Sequence, residues 1–301
     1  MQKGPVTPKG FRDIKPELAK KRREVINKIT STLEEFEFVP IETPTIEFAD
    51  TLKGKYGEEE KLIYEFTDRG GRKLALRYDL TVPLARYVAT YNPTLPFRRY
   101  QIGQVFRGEN PQKGRWREFT QLDFDSVGTS ELEEDAKVIA VAIQCFRQIG
   151  FNKAVMLIND RKNFANFSPE VARAIDKLYK IGEDGVVEEL LRSGKSKAGS
   201  LEILNQVKST KPTEDLEKIF KILRETYNLK GDIDFTFDPT MVRGLDYYTG
   251  SIFEMKPAMN PDDLTIGSGG RYDNLIGMFA KKDIPAVGFS FGLDRLLEIL
   301  T

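Results

Sequence analysis

Two arginines flank a short loop between predicted strands, at a spacing that suits the binding of a polyphosphate. Arg107 falls at the end of FRRYQIGQVFRG (97–108) and Arg115 opens RWREFTQLDFDSVG (115–128), while ENPQKG between them is typical of a turn. If the two segments pair as a hairpin, both guanidiniums project from one face and can hold phosphate oxygens in forked pairs. Phe119 on the second arm offers a ring on which a base can stack. Ion pairs with the acidic residues of the same arms are the alternative explanation.

A carboxylate and a hydroxyl two residues apart suit the binding of an ammonium group. Asp79 and Thr81 follow the segment RKLALRYD (72–79), at the expected end of a strand. The alternative, in which Asp79 is the N-cap of the helix expected over 80–91, is equally good.

Two further segments combine glycine with charged and aromatic residues. In VRGLDYYTG (242–250) we expect Arg243, Tyr247 and Tyr248 to lie in a strand, so that one tyrosine packs and the other reaches a site. Arg295 falls in the first turn of the C-terminal helix, where a cation opposes the helix dipole. The alternatives are a buried tyrosine-rich strand and a salt bridge from Arg295 to a nearby carboxylate.

Polar residues also recur at alternating positions of the two hairpin segments. Arg99 and Gln101 lie on the first arm, and Gln121, Asp123 and Asp125 lie on the second. So many polar residues on strands predict a sheet with a polar site on one face.

The composition excludes several classes of enzyme. The 301 residues include 46 basic and 46 acidic side chains, one cysteine (Cys145) and no histidine. Disulfide frameworks, zinc sites built on cysteine or histidine, and Ser-His-Asp catalysis are therefore excluded. The sequence contains neither a GxxxxGK[ST] nor a GxGxxG motif, so arginines must hold any bound ATP. We expect no membrane segment, no secretory signal and a cytoplasmic location.

The order of the predicted elements favours an α+β fold with a mostly antiparallel sheet flanked by helices. Helices are predicted over 16–36, 80–91, 131–149 (with Ser130 as N-cap) and 293–300, and hairpins over 61–79 and 97–128. Residues 164–230 are charged and have helical periodicity. We therefore predict a first part of a core over 1–163, a helical insertion over 164–230 and a second part of the core over 231–301.

Five segments in order resemble class II aminoacyl-tRNA synthetases, and within them the histidyl-tRNA synthetase family. Helix 16–36 with TPTIE (43–47) resembles motif 1, FRGENPQKGRWREF (106–119) motif 2 and AVGFSFGLDRLLEIL (286–300) motif 3; RGLDYYTG (243–250) and GGRYD (269–273) are similar to two segments peculiar to the histidine enzymes. The resemblance covers nearly the whole chain. It implies a class II synthetase-like sheet and a ligase that activates L-histidine with ATP, for protein biosynthesis.

The resemblance also implies residue roles. Catalysis would rest on Arg107 and Arg243. The nucleotide, ATP, would contact Arg107, Glu109, Arg115, Phe119 and Arg295. Histidine would contact Asp79, Thr81 and Gln121 at its ammonium group, and Asp125, Tyr247 and Tyr248 at its imidazole. Mg²⁺ would be bound mainly through ATP.

The implied partners are L-histidine, ATP, tRNA(His) and a second copy of the chain, paired through motif 1. The family normally continues into an anticodon-binding domain, and the chain ends at Thr301. We therefore expect weak tRNA binding. The alternatives are a regulatory subunit of ATP phosphoribosyltransferase, which shares this fold without aminoacylating, and a domain that senses histidine or tRNA.

Overall fold

Helices and strands follow one another irregularly along the chain, in the order expected of an α+β protein. The computed structural model describes residues 6–112, 114–242, 247–258 and 265–300. The helices in these ranges are α1 Pro16–Glu35, α2 Ala49–Leu52, α3 Thr81–Tyr91, α4 Leu132–Gln148, α5 Pro169–Ile175, α6 Leu178–Arg192, α7 Lys197–Lys208, α8 Glu214–Glu225 and α9 Leu293–Leu300. The strands are β1 Val39–Pro40, β2 Ile46–Phe48, β3 Glu65–Thr67, β4 Lys73–Leu76, β5 Phe97–Phe106, β6 Glu118–Val127, β7 Val155–Asp160, β8 Phe235–Phe237, β9 Ser251–Lys256, β10 Gly267–Arg271 and β11 Ala286–Gly292.

The strands form one large and one small sheet. The large sheet has the order β1-β5-β6-β11-β10-β9-β7-β8, and the small one the order β2-β4-β3. The two outermost pairs of the large sheet, β1 with β5 and β7 with β8, are parallel, and the other pairs are antiparallel. The predicted α+β class with a mostly antiparallel sheet is confirmed, as are both hairpins, β3 with β4 and β5 with β6.

Alternation along β6 separates a core face from a polar face. Leu122 and Phe124 are fully buried in the main hydrophobic core, where the Phe124 ring lies 6.0 Å from those of Phe289 and Phe291 on β11. Residues of α1, α4, α8 and α9 cover this face. The residues between them on β6 point to the opposite face because side chains alternate along a strand. The site lies there.

The start of α4 differs from the prediction. The helix begins at Leu132, and its N-cap is Glu131, without a side-chain cap bond. The hydroxyl of Thr129 accepts a hydrogen bond from the Glu131 N–H at 3.1 Å. Ser130 is therefore not the cap.

The predicted helical insertion, residues 164–230, contains two kinds of packing. Helices α5, α6 and α7 share a hydrophobic cluster of their own, whereas α8 buries Leu216, Phe220 and Leu223 in the main core. The domain limits stay a prediction. Among the helices in the described ranges, none is long and apolar enough to cross a membrane.

Candidate active site

A cavity of about 440 Å³ opens on the polar face of the large sheet. Gln121, Asp123 and Asp125 of β6 line it. Their partners in register on β11 are Gly292, Ser290 and Gly288, which are small and leave the space above the sheet open. Long polar side chains opposite short ones thus produce the cavity.

All the predicted site residues that the structure describes line this one cavity. They are Asp79, Thr81, Arg107, Glu109, Arg115, Phe119, Gln121, Asp125, Tyr247, Tyr248 and Arg295. Arg243 lies outside the described residues. Residues far apart in sequence therefore meet at one place, although their individual roles stay predictions.

Asp79 makes structural hydrogen bonds with one carboxylate oxygen and leaves the other open to the cavity. Its Oδ1 accepts hydrogen bonds from the Val82 N–H and from the Tyr56 hydroxyl, each at 3.0 Å, so its side chain satisfies a free N–H of the first turn of α3, although the N-cap residue itself is Leu80. Its Oδ2 is buried and has no hydrogen-bond partner among the described residues. Burial raises the pKa of Asp79, and the hydrogen bonds from Val82 and Tyr56 partly offset this rise. One oxygen is structural, and the other is available to a ligand.

Gln121 also has one side-chain oxygen that is open to the cavity. Its Nε2 donates to the Ser290 hydroxyl at 2.9 Å, and its buried Oε1 has no partner in the part of the chain that the structure describes. Gln121 and Asp79 therefore both offer an acceptor to the cavity.

Asp125 is held by two buried groups, one on the neighbouring strand β5 and one directly after β10. Its Oδ2 lies 2.6 Å from Nη2 of Arg99, a fully buried arginine of β5, and its Oδ1 accepts a hydrogen bond from the hydroxyl of Tyr272. Burial raises the pKa of Asp125, and the charge of Arg99 opposes that rise. Burial also raises the pKa of Tyr272, which keeps its hydroxyl a donor.

The two adjacent tyrosines do not lie in a strand, so this part of the prediction is wrong. Strand β9 begins at Ser251, after both residues. The rings of Tyr247 and Tyr248 lie 4.9 Å apart and both line the cavity, and the Tyr247 ring lies 5.9 Å from that of Tyr272. Because the two tyrosines are not in a strand, their side chains need not alternate between opposite faces, and both can line the cavity.

The arginines line the other end of the cavity. Arg107 follows β5, and its guanidinium lies 4.3 Å from the ring of Tyr78 and 5.1 Å from that of Phe119. Its Nε donates to the Tyr78 carbonyl at 3.2 Å. Such stacking fixes the orientation of the planar guanidinium group.

The sequence predicted Arg115 on the second arm of the hairpin, and this prediction is wrong. Strand β6 begins at Glu118, and Arg115 lies in the preceding loop. Its guanidinium pairs with Glu109 at 3.0 Å, while about half of the side chain (54%) stays exposed. The ion pair weighed as an alternative thus exists, within the cavity lining.

Arg295 reaches the cavity from the first turn of α9. Its Nη1 donates to the Thr265 carbonyl at 2.7 Å, while the neighbouring Asp294 pairs with Arg12 at 2.5 Å. Burial lowers the pKa of Arg295, and the charge of Arg115 lowers it further. Arginines that repel one another at a partly buried surface are stabilised by a bound polyanion.

A model of the histidyl-tRNA synthetase family matches residues 10–296. The histidine–tRNA ligase of Aeropyrum pernix is 42% identical, over 98% of this chain and 74% of the relative. The chain belongs to the histidyl-tRNA synthetase family. The family resemblance inferred from the five segments is therefore confirmed.

Solved structures of the histidyl-tRNA synthetase fold superimpose on nearly the whole chain. Histidyl-tRNA synthetase from Nostoc sp. PCC 7120 has a TM-score of 0.84 at 30% identity, covering 99% of this chain and 76% of that one. A protein from Bacillus halodurans, described as an ATP phosphoribosyltransferase regulatory subunit/histidyl-tRNA synthetase, has a TM-score of 0.80 at 26% identity, covering 98% and 83%. The class II synthetase-like fold is confirmed.

Three further residues that line the cavity take part in its hydrogen bonds, although the sequence assigned them no individual role. Asp123, Tyr272 and Ser290 all line the cavity. Asp123 was detectable, because it lies between Gln121 and Asp125 on the same face of β6. Tyr272 lies in the GGRYD segment and Ser290 in the motif 3 segment, but neither segment indicated which of its residues would face the cavity.

Proposed function

We propose that the chain activates L-histidine with ATP to form histidyl-adenylate and transfers the histidyl group to tRNA(His). One observation carries the proposal: a single cavity presents buried acceptors at one end and three arginines at the other. An amino acid with its ammonium at the acceptors directs its carboxylate towards a polyphosphate held by the arginines. Membership of the histidyl-tRNA synthetase family supports the same reading.

The chemistry suits a chain that contains no histidine. An oxygen of the substrate carboxylate forms a bond to the α-phosphorus of ATP while the bond from that phosphorus to pyrophosphate breaks. The nucleophile is already an anion, so no general base is required. The protein's task is to position the reactants and to stabilise negative charge on the phosphate oxygens, and Arg107 is the proposed group for this. The role of Arg243 stays a prediction.

Magnesium would arrive with the nucleotide. Among the described residues, no group of three or more acidic or cysteine side chains is placed to hold a metal ion. Mg²⁺ would therefore be held mainly by the phosphate oxygens of ATP, whose charge it would neutralise.

Asp125 and Tyr248, with Tyr247 nearby, form the proposed imidazole subsite. Asp125 provides a carboxylate oriented by Arg99 and Tyr272, and Tyr247 and Tyr248 lie beside it. A site that hydrogen-bonds both ring nitrogens leaves its own polar groups unpaired when an apolar side chain enters. Such a site discriminates by ~10⁴-fold without editing.

Pairing with a second copy through the motif 1 region is part of the proposal. Phe48 and Ile46 of β2 and Val39 of β1 are large apolar residues that stay exposed in the single chain. Burial of such a patch against another copy would remove apolar surface from water. Binding of tRNA(His) and a cytoplasmic location accompany this function as further predictions.

ATP–pyrophosphate exchange, measured with each amino acid in turn, tests the activation step. We expect exchange with L-histidine alone. Arg107→Ala should reduce it by ~10³-fold, by analogy with other arginines that stabilise phosphoryl transfer. Arg192→Ala is the control, because Arg192 is exposed on α6 and remote from the cavity lining. A loss under tenfold for Arg107→Ala would contradict its role. Histidine binding without exchange would favour the regulatory or sensing alternative.

A further inference from the structure

Four buried oxygen atoms of residues that line the cavity have no hydrogen-bond partner among the described residues, and one of them, Asp125 Oδ2, forms the ion pair with Arg99. The other three are Asp79 Oδ2, Gln121 Oε1 and Asp123 Oδ1. The three residues are 4%, 9% and 2% exposed, so water cannot freely solvate them. Buried acceptors are normally satisfied, and a set left open together indicates a ligand with several donors.

Asp123 is connected to Gln121 through one serine. Ser290 lies opposite Asp123 in the register of β6 and β11. Its hydroxyl accepts from Gln121 Nε2 at 2.9 Å and hydrogen-bonds the Asp123 carboxylate. Asp123 therefore orients the Ser290 hydroxyl, which in turn orients the Gln121 amide with its oxygen towards the cavity.

The charges around Asp123 call for a cation. Burial raises the pKa of Asp123 to about 7, and although Arg99 opposes this, the carboxylates of Asp125 and Asp79 raise it further. Arg99 makes its close ion pair with Asp125. A cation placed between Asp79 and Asp123 would relieve their repulsion and satisfy both open oxygens.

From this geometry we propose that Asp123 binds the α-ammonium group of the substrate, in addition to the contacts predicted for Asp79, Thr81 and Gln121. The inference rests on the proposed function and adds a contact to it. An ammonium group has three N–H donors, and the three open oxygens match them in number. Asp125, engaged by Arg99 and Tyr272, is left for the imidazole end.

The test compares three ligands that differ at single groups. L-histidine has both ammonium and carboxylate, L-histidinol lacks the carboxylate, and 3-(imidazol-4-yl)propionate lacks the ammonium. Equilibrium binding of each is measured by calorimetry with the unvaried chain, Asp123→Asn and Ser126→Ala. Ser126 is the control because it is buried on the same strand but does not line the cavity.

We expect Asp123→Asn to weaken L-histidine and L-histidinol by ~10-fold or more, because a charge-assisted hydrogen bond is lost. Binding of the propionate should change less than threefold. Ser290→Ala keeps the carboxylate and provides a second variant, which should give the same selective pattern if Asp123→Asn does not fold.

Equal weakening of all three ligands, or of none, would overturn the role of Asp123 and leave the proposed function standing. An unvaried chain that binds none of the three would instead overturn the proposed function itself, and the inference with it.

Discussion

The buried carboxyl of Asp123 leads to a prediction about the pH dependence of the free energy of unfolding, which can be tested without substrate. Burial raises its pKa from an ordinary 3.8 to about 7 in the folded chain, against the charge of Arg99 and with the help of Asp125 and Asp79. Between these two pH values the folded state holds a proton that the unfolded state has lost. The free energy of unfolding therefore falls as the pH rises through this window and is level above it.

The size of the effect follows from the shift. At ~1.4 kcal/mol per pKa unit, the raised pKa of Asp123 lowers the free energy of unfolding, relative to a side chain that does not titrate, by about 4 kcal/mol at pH 8 and by about 1.6 kcal/mol at pH 5. Asp123→Asn removes the titration while keeping the shape. With an unfolding entropy of ~2.1 cal/mol/K per residue, 1 kcal/mol corresponds to ~1.5 °C in a chain of this length. The variant should thus exceed the unvaried chain by ~6 °C at pH 8 and by ~2–3 °C at pH 5.

Thermal unfolding of both proteins, at pH 5 and pH 8 and at one ionic strength, measures this difference. Asp184→Asn is the matched control, because Asp184 is exposed on α6 and should change the midpoint equally little at both pH values. An advantage of Asp123→Asn that is the same at pH 5 and pH 8, or a lower midpoint than the unvaried chain at pH 8, would refute the assignment of a buried, ligand-free carboxyl at this position.

Two other predictions concern the floor of the cavity. Arg99→Met should lower the free energy of unfolding by ~3–5 kcal/mol, because it leaves the Asp125 carboxylate buried without its cation; urea unfolding measures the loss, and the double variant with Asp125→Asn should recover part of it if the pair is coupled. Gly288→Ala should weaken L-histidine by ~10²-fold, since its new Cβ would lie 1.8 Å from Asp125 Oδ1 and must displace that side chain. Gly231→Ala, whose Cβ has room outside the cavity, is the control for equilibrium binding, and equal affinities for the two glycine variants would contradict the close fit.

The elements that the sequence predicts correctly are those whose local pattern agrees with their packing. The apolar stripe of α1 and the alternation along β5 and β6 appear in the structure because each places one apolar face against the main core. Tyr247 and Tyr248 broke this rule. β propensity favoured a strand there, whereas the described chain enters β9 only at Ser251.

The sequence predicted which residues line the site better than it predicted the contacts between them. Motif spacing brought together residues from both ends of the chain, and the cavity contains every one that the structure describes. Arg99 and Asp125 lie opposite each other in the β5–β6 hairpin, so their proximity followed from the predicted hairpin. Tyr272, by contrast, lies 147 positions after Asp125, and local sequence carries no information on its hydrogen bond to that carboxylate. For Arg115 the local pattern was misleading, because the predicted second arm begins at residue 115 whereas β6 begins at Glu118, so that Arg115 lies in the loop.

The order of residues along β6 explains how one strand can present a whole reaction path. Asp125 lies at the proposed imidazole end, Asp123 and Gln121 follow at the ammonium, and Phe119 comes last, beside the Arg107 guanidinium. On the proposed function, this sequence of polar and aromatic side chains matches the order of ring, ammonium and nucleotide in the adenylate. A ligand held at the ammonium and at the ring has its carboxylate directed to the arginines. Since the substrate carboxylate is already an anion and needs no general base, the contribution of this strand to the activation step is orientation, which requires no histidine side chain.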